Sequence, residues 1–380
     1  MEKIELSIVM PCLNEEQTIG QCVEKAKRGI ASVGMNGEVV VVDNGSTDRS
    51  IEIARSIGAR VIIEPNKGYG SAYKRGFSEA KGDYLIMGDS DDTYDFSEIK
   101  AFIDGLKRGS DMVVGTRLKG KILPGAMPPL HRYLGTPVIA WLLNLFFRTG
   151  VSDPNCGMRG LTKEAFRKMD LQSGGMEFAS EMIINAAREG LKISEVPITY
   201  YPRKGDSKLR TFRDGWRHLR FMLFYSPTYL FLLPGSFIMV LGLILMLLVF
   251  PGPLRFGRLT LDIHYMVLGS ACSILGSQIL TMGLFAKCYA FTEGYELRDK
   301  FINIFLRFFT LERGIYLGGI SLLLGSLMSV YVLIKWINSG FGALSEVRTA
   351  LLALTLVILG VQAIFSSFFI SILLLKKGRS

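Results

Sequence analysis

Up to about Phe224 the chain alternates short runs of strand-forming residues with longer stretches whose apolar positions recur every three or four residues. Residues 6–10 (LSIVM), 38–42 (EVVVV), 60–63 (RVII), 83–88 (DYLIMG) and 112–115 (MVVG) are short and rich in β-branched side chains. Gly, Pro, Asn or Asp bound them, which predicts strands. Helices are predicted between them: to about Val33, from Thr47 and Asp48 through Ser56, from Asn66-Lys67-Gly68-Tyr69-Gly70 through Ala80, and over residues 97–108. Strands alternating with helices at this spacing predict an α/β fold on a doubly wound, mostly parallel sheet.

Beyond Phe224 the polar positions thin out. Residues 225–250, 265–291, 315–337 and 349–375 are apolar runs, each longer than the roughly 20 residues that cross a bilayer as a helix. Two earlier stretches are amphipathic. Residues 134–147 are too short to span and either lie at the membrane interface or pack in the core. Residues 210–224 place Arg210, Arg213, Arg217 and Arg220 on one helical stripe and Phe212, Trp216, Leu219 and Leu223 on another. Such a helix is expected in the headgroup plane. The chain therefore divides into a cytosolic domain over 1–209, an interfacial helix over 210–224 and a four-helix membrane domain over 225–380. In the second span Gly269, Gly276 and Gly283 share one face and favour close helix packing, within the chain or in a homo-oligomer. Gln278 and Gln362 are expected to hydrogen-bond between helices.

The net charge is +10. Its basic residues crowd beside the membrane runs, and no zinc knuckle or RNA-binding aromatic signature occurs, which argues for anionic lipid rather than nucleic acid. Arg203, Lys204, Lys208, Arg210, Arg213, Arg217 and Arg220 precede the first span; Arg298, Lys300, Arg307 and Arg313 follow the second; Lys376, Lys377 and Arg379 follow the fourth. The intervening loops hold only Arg255, Arg258 and Arg348. This bias, with no signal peptide ahead of the first strand, predicts both termini in the cytosol and the plasma (inner) membrane as the location. Five cysteines without a CxxC pair suggest neither disulfides nor a zinc site.

Two acidic motifs follow predicted strands: Asp43-Asn44-Gly45-Ser46-Thr47-Asp48 and Asp89-Ser90-Asp91-Asp92. Ligands of open α/β sheets bind beyond the carboxyl ends of strands, where carboxylates suit a nucleotide, a divalent metal, or both. No GxGxxG turn or Walker A lysine is present. Gly68 and Gly70 before a helix admit either a phosphate or an ordinary tight turn. On local rules Asp43 can make an Asx turn with Gly45, Glu15 can face a helix dipole, and Asp48 reads as a helix cap.

SIVMPCLNEE, VVVVDNGSTD, NKGYG and the DxD of Asp89 and Asp91, in this order and spacing, resemble glycosyltransferase family 2 with the GT-A fold. Gly115-Thr116-Arg117, SDPNCGMRG at 152–160 and VPITYYPRKGDSKL at 196–209 are similar to the polyprenyl-phosphate glycosyltransferases, which include dolichyl-phosphate mannose and glucose synthases. The resemblance covers roughly residues 4 to 225. It implies a nucleotide-sugar donor (UDP-glucose first, GDP-mannose next), a polyprenyl-phosphate acceptor, and Mg²⁺ or Mn²⁺ held by Asp91 directly with Asp89 toward the ribose or the metal's water shell. It places Pro11, Asn14, Glu15, Asp43, Lys67, Ser90, Arg203, Ser207 and Lys208 around the donor, the last three on a loop over it.

The resemblance assigns Arg117 and Arg132 to the acceptor phosphate; Arg159 serves either ligand or pairs with a carboxylate such as Asp153. Many such enzymes carry Gln where this chain has Thr93, so a third metal ligand is open, with Asp92 as a substitute. Glu177 and Glu181 either orient the acceptor or are structural. A phosphate oxygen is a nucleophile at neutral pH and needs no strong base, so an inverting single displacement is expected. The QxxRW signature of processive synthases is missing, which argues against polymerisation. The rivals are an enzyme elongating a glycan or glycolipid hydroxyl and a transport component that only binds nucleotide sugar.

Overall fold

The computed structural model describes residues 3–204, 211–257, 259–292 and 300–375. Ser207, Lys208 and Arg210 lie outside the described residues. The chain divides at Met222 and Leu223 into two compact units.

The first unit opens with β1 (Leu6–Cys12), α1 (Ile19–Ser32), β2 (Gly37–Asp43), α2 (Ser50–Ser56), β3 (Arg60–Ile63), α3 (Tyr69–Glu79), β4 (Tyr84–Met87), α4 (Lys100–Lys107) and β5 (Met112–Ile122). These match the predicted elements to within a few residues, except that β5 continues through Ile122, with Thr116 and Arg117 buried, Lys119–Lys121 exposed, and a register shift against its partner strand between Thr116 and Lys121. Then come α5 (Thr136–Phe147), β6 (Arg159–Thr162), α6 (Lys163–Met169), α7 (Phe178–Arg188), β7 (Ile193–Tyr200) and α8 (Thr211–Phe224). The sheet order is β3-β2-β1-β4-β6-β5-β7. All neighbours are parallel except β6, which runs antiparallel to both β4 and β5.

The apolar stripe of α1 (Ile19, Cys22, Val23, Ala26) is buried against β1 and β2. That burial drives the helix onto the sheet. β1 is buried almost throughout, as expected of a central parallel strand covered on both faces.

The second unit holds α9 (Leu233–Val249), a short hairpin of β8 (Leu254–Phe256) and β9 (Leu259–Leu261), α10 (Ile263–Thr292), α11 (Lys300–Phe308), α12 (Leu311–Asn338) and α13 (Val347–Leu375). Among the described residues four helices are long and apolar enough to cross a membrane: Thr228–Val249, Ile263–Thr292, Leu311–Asn338 and Val347–Leu375. The chain is an integral membrane protein. The glycine stripe of α10 packs within the chain. A Cβ on Gly276 would lie 2.3 Å from Met239 N, and one on Gly242 would lie 2.5 Å from Ser273 N. The glutamines do not join helices as expected. Gln278 is exposed, and Gln362 Oε1 is buried with no partner among the described residues. Smaller groups do so instead: Ser270 with Thr355 at 2.6 Å, and Ser321 Oγ donating to the Leu356 carbonyl at 2.8 Å.

Candidate active site

The strand register brings the acidic motifs together. Parallel pairing sets Pro11 beside Val42 and Cys12 beside Asp43, while Val9 sits beside Met87. Residues at and just past the ends of β1, β2 and β4 therefore converge: Pro11, Asp43 and Asp89. Ser90 locks the junction. Its Oγ donates to the Pro11 carbonyl at 2.6 Å, and its own carbonyl accepts from Thr18 Oγ1 at 2.7 Å.

Asp91 is buried and oriented from two sides. Thr93 donates its N–H (3.1 Å) and its hydroxyl (2.6 Å) to Oδ1, and Arg203 Nη1 stands 3.1 Å from Oδ2. Arg203 Nη2 also donates to Glu15 Oε1 at 2.9 Å. One guanidinium thus joins the first and fourth strand ends. Its Nε is buried and has no partner among the described residues. A phosphate oxygen would satisfy that donor.

Tyr69 and Tyr73, one turn apart on α3, stand against Asp89, with the Tyr73 hydroxyl 3.4 Å from Oδ1. Burial, and then the charge of Asp91, pushes the Asp89 carboxyl up to about 7 despite hydrogen bonding from Tyr69. Two adjacent carboxylates in this setting favour a cation. Among the described residues no three of His, Cys, Asp or Glu form a complete cage. The donor set of Asp89 and Asp91 instead fits a hard divalent ion. Asp92, the alternative third ligand, has both oxygens engaged here. It is held between Lys25 Nζ and Lys204 Nζ, each 2.7 Å away.

The second motif works mostly as scaffold. Asp43 accepts from the backbone N–H groups of Gly45 and Ser46, each at 3.1 Å, which is the Asx-turn alternative. Asn14, in the left-handed region (φ 54°), accepts from Thr47 N–H at 2.8 Å. Asp48 accepts from Ser50 N–H at 3.0 Å and from Glu16 N–H at 3.1 Å. Asn44 donates to the Glu64 and Asn66 carbonyls, both at 2.9 Å, and accepts from Gly68 N–H at 2.7 Å. It clamps the Asn66–Gly70 turn, leaving Lys67 exposed.

Gly68 and Gly70 serve close backbone approach. A Cβ would fall 2.2 Å from Gly174 O at Gly68 and 2.4 Å from Ser173 O at Gly70. Glu181 is fully buried and holds that segment, accepting from Gln172 and Ser173 N–H at 2.9 Å each. It is structural, whereas Glu177 is half-buried at the start of α7.

Of the three acceptor arginines, the structure leaves only Arg132 exposed, its guanidinium 5.4 Å from the Tyr133 ring. Arg117 is buried and forked onto Asp153, with Nε to Oδ2 at 2.8 Å and Nη2 to Oδ1 at 2.7 Å. Arg159 is fully buried and donates to the carbonyls of Cys156, Ala179 and Pro154 at 2.7–3.0 Å. All three Arg159 nitrogens are thus spent on carbonyls, while Arg117 commits Nε and Nη2 to Asp153, which belongs to Arg117 rather than Arg159. The tyrosines behind Asp89 and Lys25 beside Asp92 were not singled out in the sequence, and Lys204 was read only as a charge ahead of the first span. The i, i+4 spacing of Tyr69 and Tyr73 after the NKG turn was the available signal.

Residues 7–170 match the model of glycosyl transferase family 2, and residues 284–374 match the glycosyltransferase family 2 C-terminal transmembrane region. Over 364 residues the chain is 43% identical to the low-salt glycan biosynthesis hexosyltransferase Agl6 of Haloferax volcanii, covering 96% of this chain and 87% of that protein. It is 36% identical over 214 residues to a dolichyl-phosphate hexose transferase of the same organism, covering 56% of this chain and 89% of that protein. Among solved structures, glucosyl-3-phosphoglycerate synthase from Mycobacterium tuberculosis aligns with TM-score 0.48 at 21% identity, covering 58% of this chain and 79% of that one. The chain belongs to glycosyltransferase family 2, with a GT-A catalytic fold followed by a C-terminal transmembrane region.

Proposed function

We propose that the chain transfers one hexose from a nucleotide-sugar to a polyprenyl phosphate at the cytosolic membrane face, with inversion at the anomeric carbon. The observation that carries this reading is the Asp89–Asp91 pair at the strand ends, facing Arg203 with its unpartnered Nε. The hexosyltransferase and dolichyl-phosphate hexose transferase relatives support the class of reaction.

Asp91, with Asp89 beside it, would hold Mg²⁺ or Mn²⁺, which offsets the charge on the departing diphosphate when bound. Arg203 turns from the carboxylates toward the diphosphate oxygens. Pro11, Glu15, Asp43 and Ser90 wall the nucleoside side; Asn14 and Lys67 stand at its rim. The lipid phosphate oxygen bonds to the anomeric carbon as the bond to the diphosphate breaks. No general base is required, because the nucleophile is already anionic. Positioning and electrostatics supply the rate. UDP-glucose is the first donor to test and GDP-mannose the second.

The acceptor must arrive from a bilayer, and α5 with the helical turn before it, His131–Gly135, supports that. Tyr133, Leu134, Val138, Trp141 and Leu145 share one stripe and are 41–73% exposed. Arg132 and Arg148 flank it. An apolar stripe bordered by cations, in a chain with four membrane spans, fits a bilayer surface. Arg132 is the residue we place at the acceptor phosphate.

The test uses purified full-length chain with labelled UDP-glucose or GDP-mannose, Mg²⁺ or Mn²⁺, and undecaprenyl or dolichyl phosphate. Label in an acid-labile lipid supports the proposal. Label only in an oligosaccharide or glycolipid hydroxyl, or binding without turnover, rejects it.

A further inference from the structure

The proposed chemistry does not use Asp92, yet this carboxylate is buried and tied on both oxygens. It occupies the left-handed region, φ 63°, directly after the Asp89–Asp91 pair. Lys25 Nζ, from α1, contacts Oδ1 and Lys204 Nζ contacts Oδ2, both at 2.7 Å. Lys204 also donates to Gln21 Oε1 at 2.9 Å, one turn before Lys25 on the same helix. Lys25 Nζ in turn lies 5.5 Å from the centre of the Tyr201 ring. The backbone completes the link. Tyr201 N–H donates to the Thr93 carbonyl at 3.1 Å, and Tyr94 bridges Tyr200 in antiparallel fashion. The strap that follows β7 therefore runs against the turn that follows β4, and its end is pinned to α1.

Arg203 is next to Lys204 in this strap, and its reach over Asp91 and Glu15 depends on where the strap sits. We propose that Lys25, Asp92 and Lys204 form an ion triad that positions Arg203 at the donor diphosphate, with Asp92 as the positioning residue. The inference rests on the site being a nucleotide-sugar site. The Lys25 arm is sheltered, at 12% exposure against 6% for Asp92, and so resists salt screening. The Lys204 arm is 53% exposed on the lysine side, so it can be altered without disturbing the core. The triad touches neither the lipid side nor the metal oxygens, so its loss should appear in donor use.

Two measurements test this. In the ligand-free full-length chain, lysine acetylation read by mass spectrometry should show Lys25 labelled several-fold faster in Asp92→Asn than in wild type. In turnover with UDP-glucose or GDP-mannose, Asp92→Asn and Lys204→Met should each raise the donor KM about tenfold and leave the acceptor KM unchanged. The double variant should add little to either single one, and Lys204→Arg should restore the wild-type donor KM. Unchanged Lys25 labelling, multiplicative single effects, or equal shifts in donor and acceptor KM would overturn the triad. Absence of donor use by wild type would instead overturn the site assignment, and the triad's role with it.

Discussion

Arg117 offers a sharp discrimination, because a phosphate-binding arginine and a structural one fail in opposite ways. The geometry favours the structural role: Nε and Nη2 fork onto Asp153, and Asp153 also accepts the Arg117 backbone N–H at 2.9 Å. Asp153 is fully buried. Burial opposes the arginine's charge, but the Asp153 carboxylate more than compensates and raises its pKa. Arg117→Met removes the cation and strands a buried carboxylate, at a cost of about 3–5 kcal/mol. For a unit of 222 residues, at about 2–4 °C per kcal/mol, the melting midpoint should fall by about 6–20 °C. Adding Asp153→Leu removes the stranded charge and should recover part of that loss. A residue of about 1–3 kcal/mol should remain, since the Arg117 N–H loses its acceptor. Intrinsic-fluorescence melting of the full-length chain in detergent, beside the acceptor KM of the surviving folded enzyme, decides the matter. A melting point unmoved in Arg117→Met together with a raised KM for polyprenyl phosphate would refute the structural assignment.

Three further outcomes are expected. Gly70→Ala puts a methyl 2.4 Å from Ser173 O and 2.8 Å from Phe178 Cβ, so it should destabilise the chain by about 1–3 kcal/mol and raise the donor KM, as read by melting and initial rates. Glu38 is held below its usual range: burial opposes this, but Arg60, the Lys81 N–H and Ser7 prevail. Its contribution is complete above the ordinary carboxylate range and vanishes as pH falls through the lowered value, so the melting gap between wild type and Glu38→Gln should be largest near neutrality and close toward pH of about 3. Trp141→Glu, on the exposed stripe of α5, should raise the acceptor KM while leaving donor binding intact, as read by kinetics in nanodiscs and by nucleotide dialysis.

The parallel half of the sheet was legible because its strands are apolar runs ended by turn residues, and the same runs place the carboxylates at the strand ends. β6 was not. Its four residues, Arg159–Thr162, carry a Gly and a charged side chain that the fold buries, so no alternation marks it. Arginine roles were equally hidden. Burial decides whether a guanidinium meets a phosphate or a carbonyl, and the partners of Arg159 arrive from Pro154 and Ala179 only once the chain folds. The Lys25–Asp92 pair spans 67 positions and leaves no periodic trace. The Asx turn at Asp43 and the packing of the α10 glycines within the chain were each one of two alternatives the residues offered, because both follow from local rules.

The central claim is that the carboxylates after β4 take up a nucleotide diphosphate through a divalent cation. Equilibrium dialysis of labelled UDP and GDP against the full-length chain tests it directly. The account predicts one nucleotide bound per chain in Mn²⁺ or Mg²⁺, lost on chelation and lost in Asp91→Asn. Nucleotide binding that survives both would contradict it.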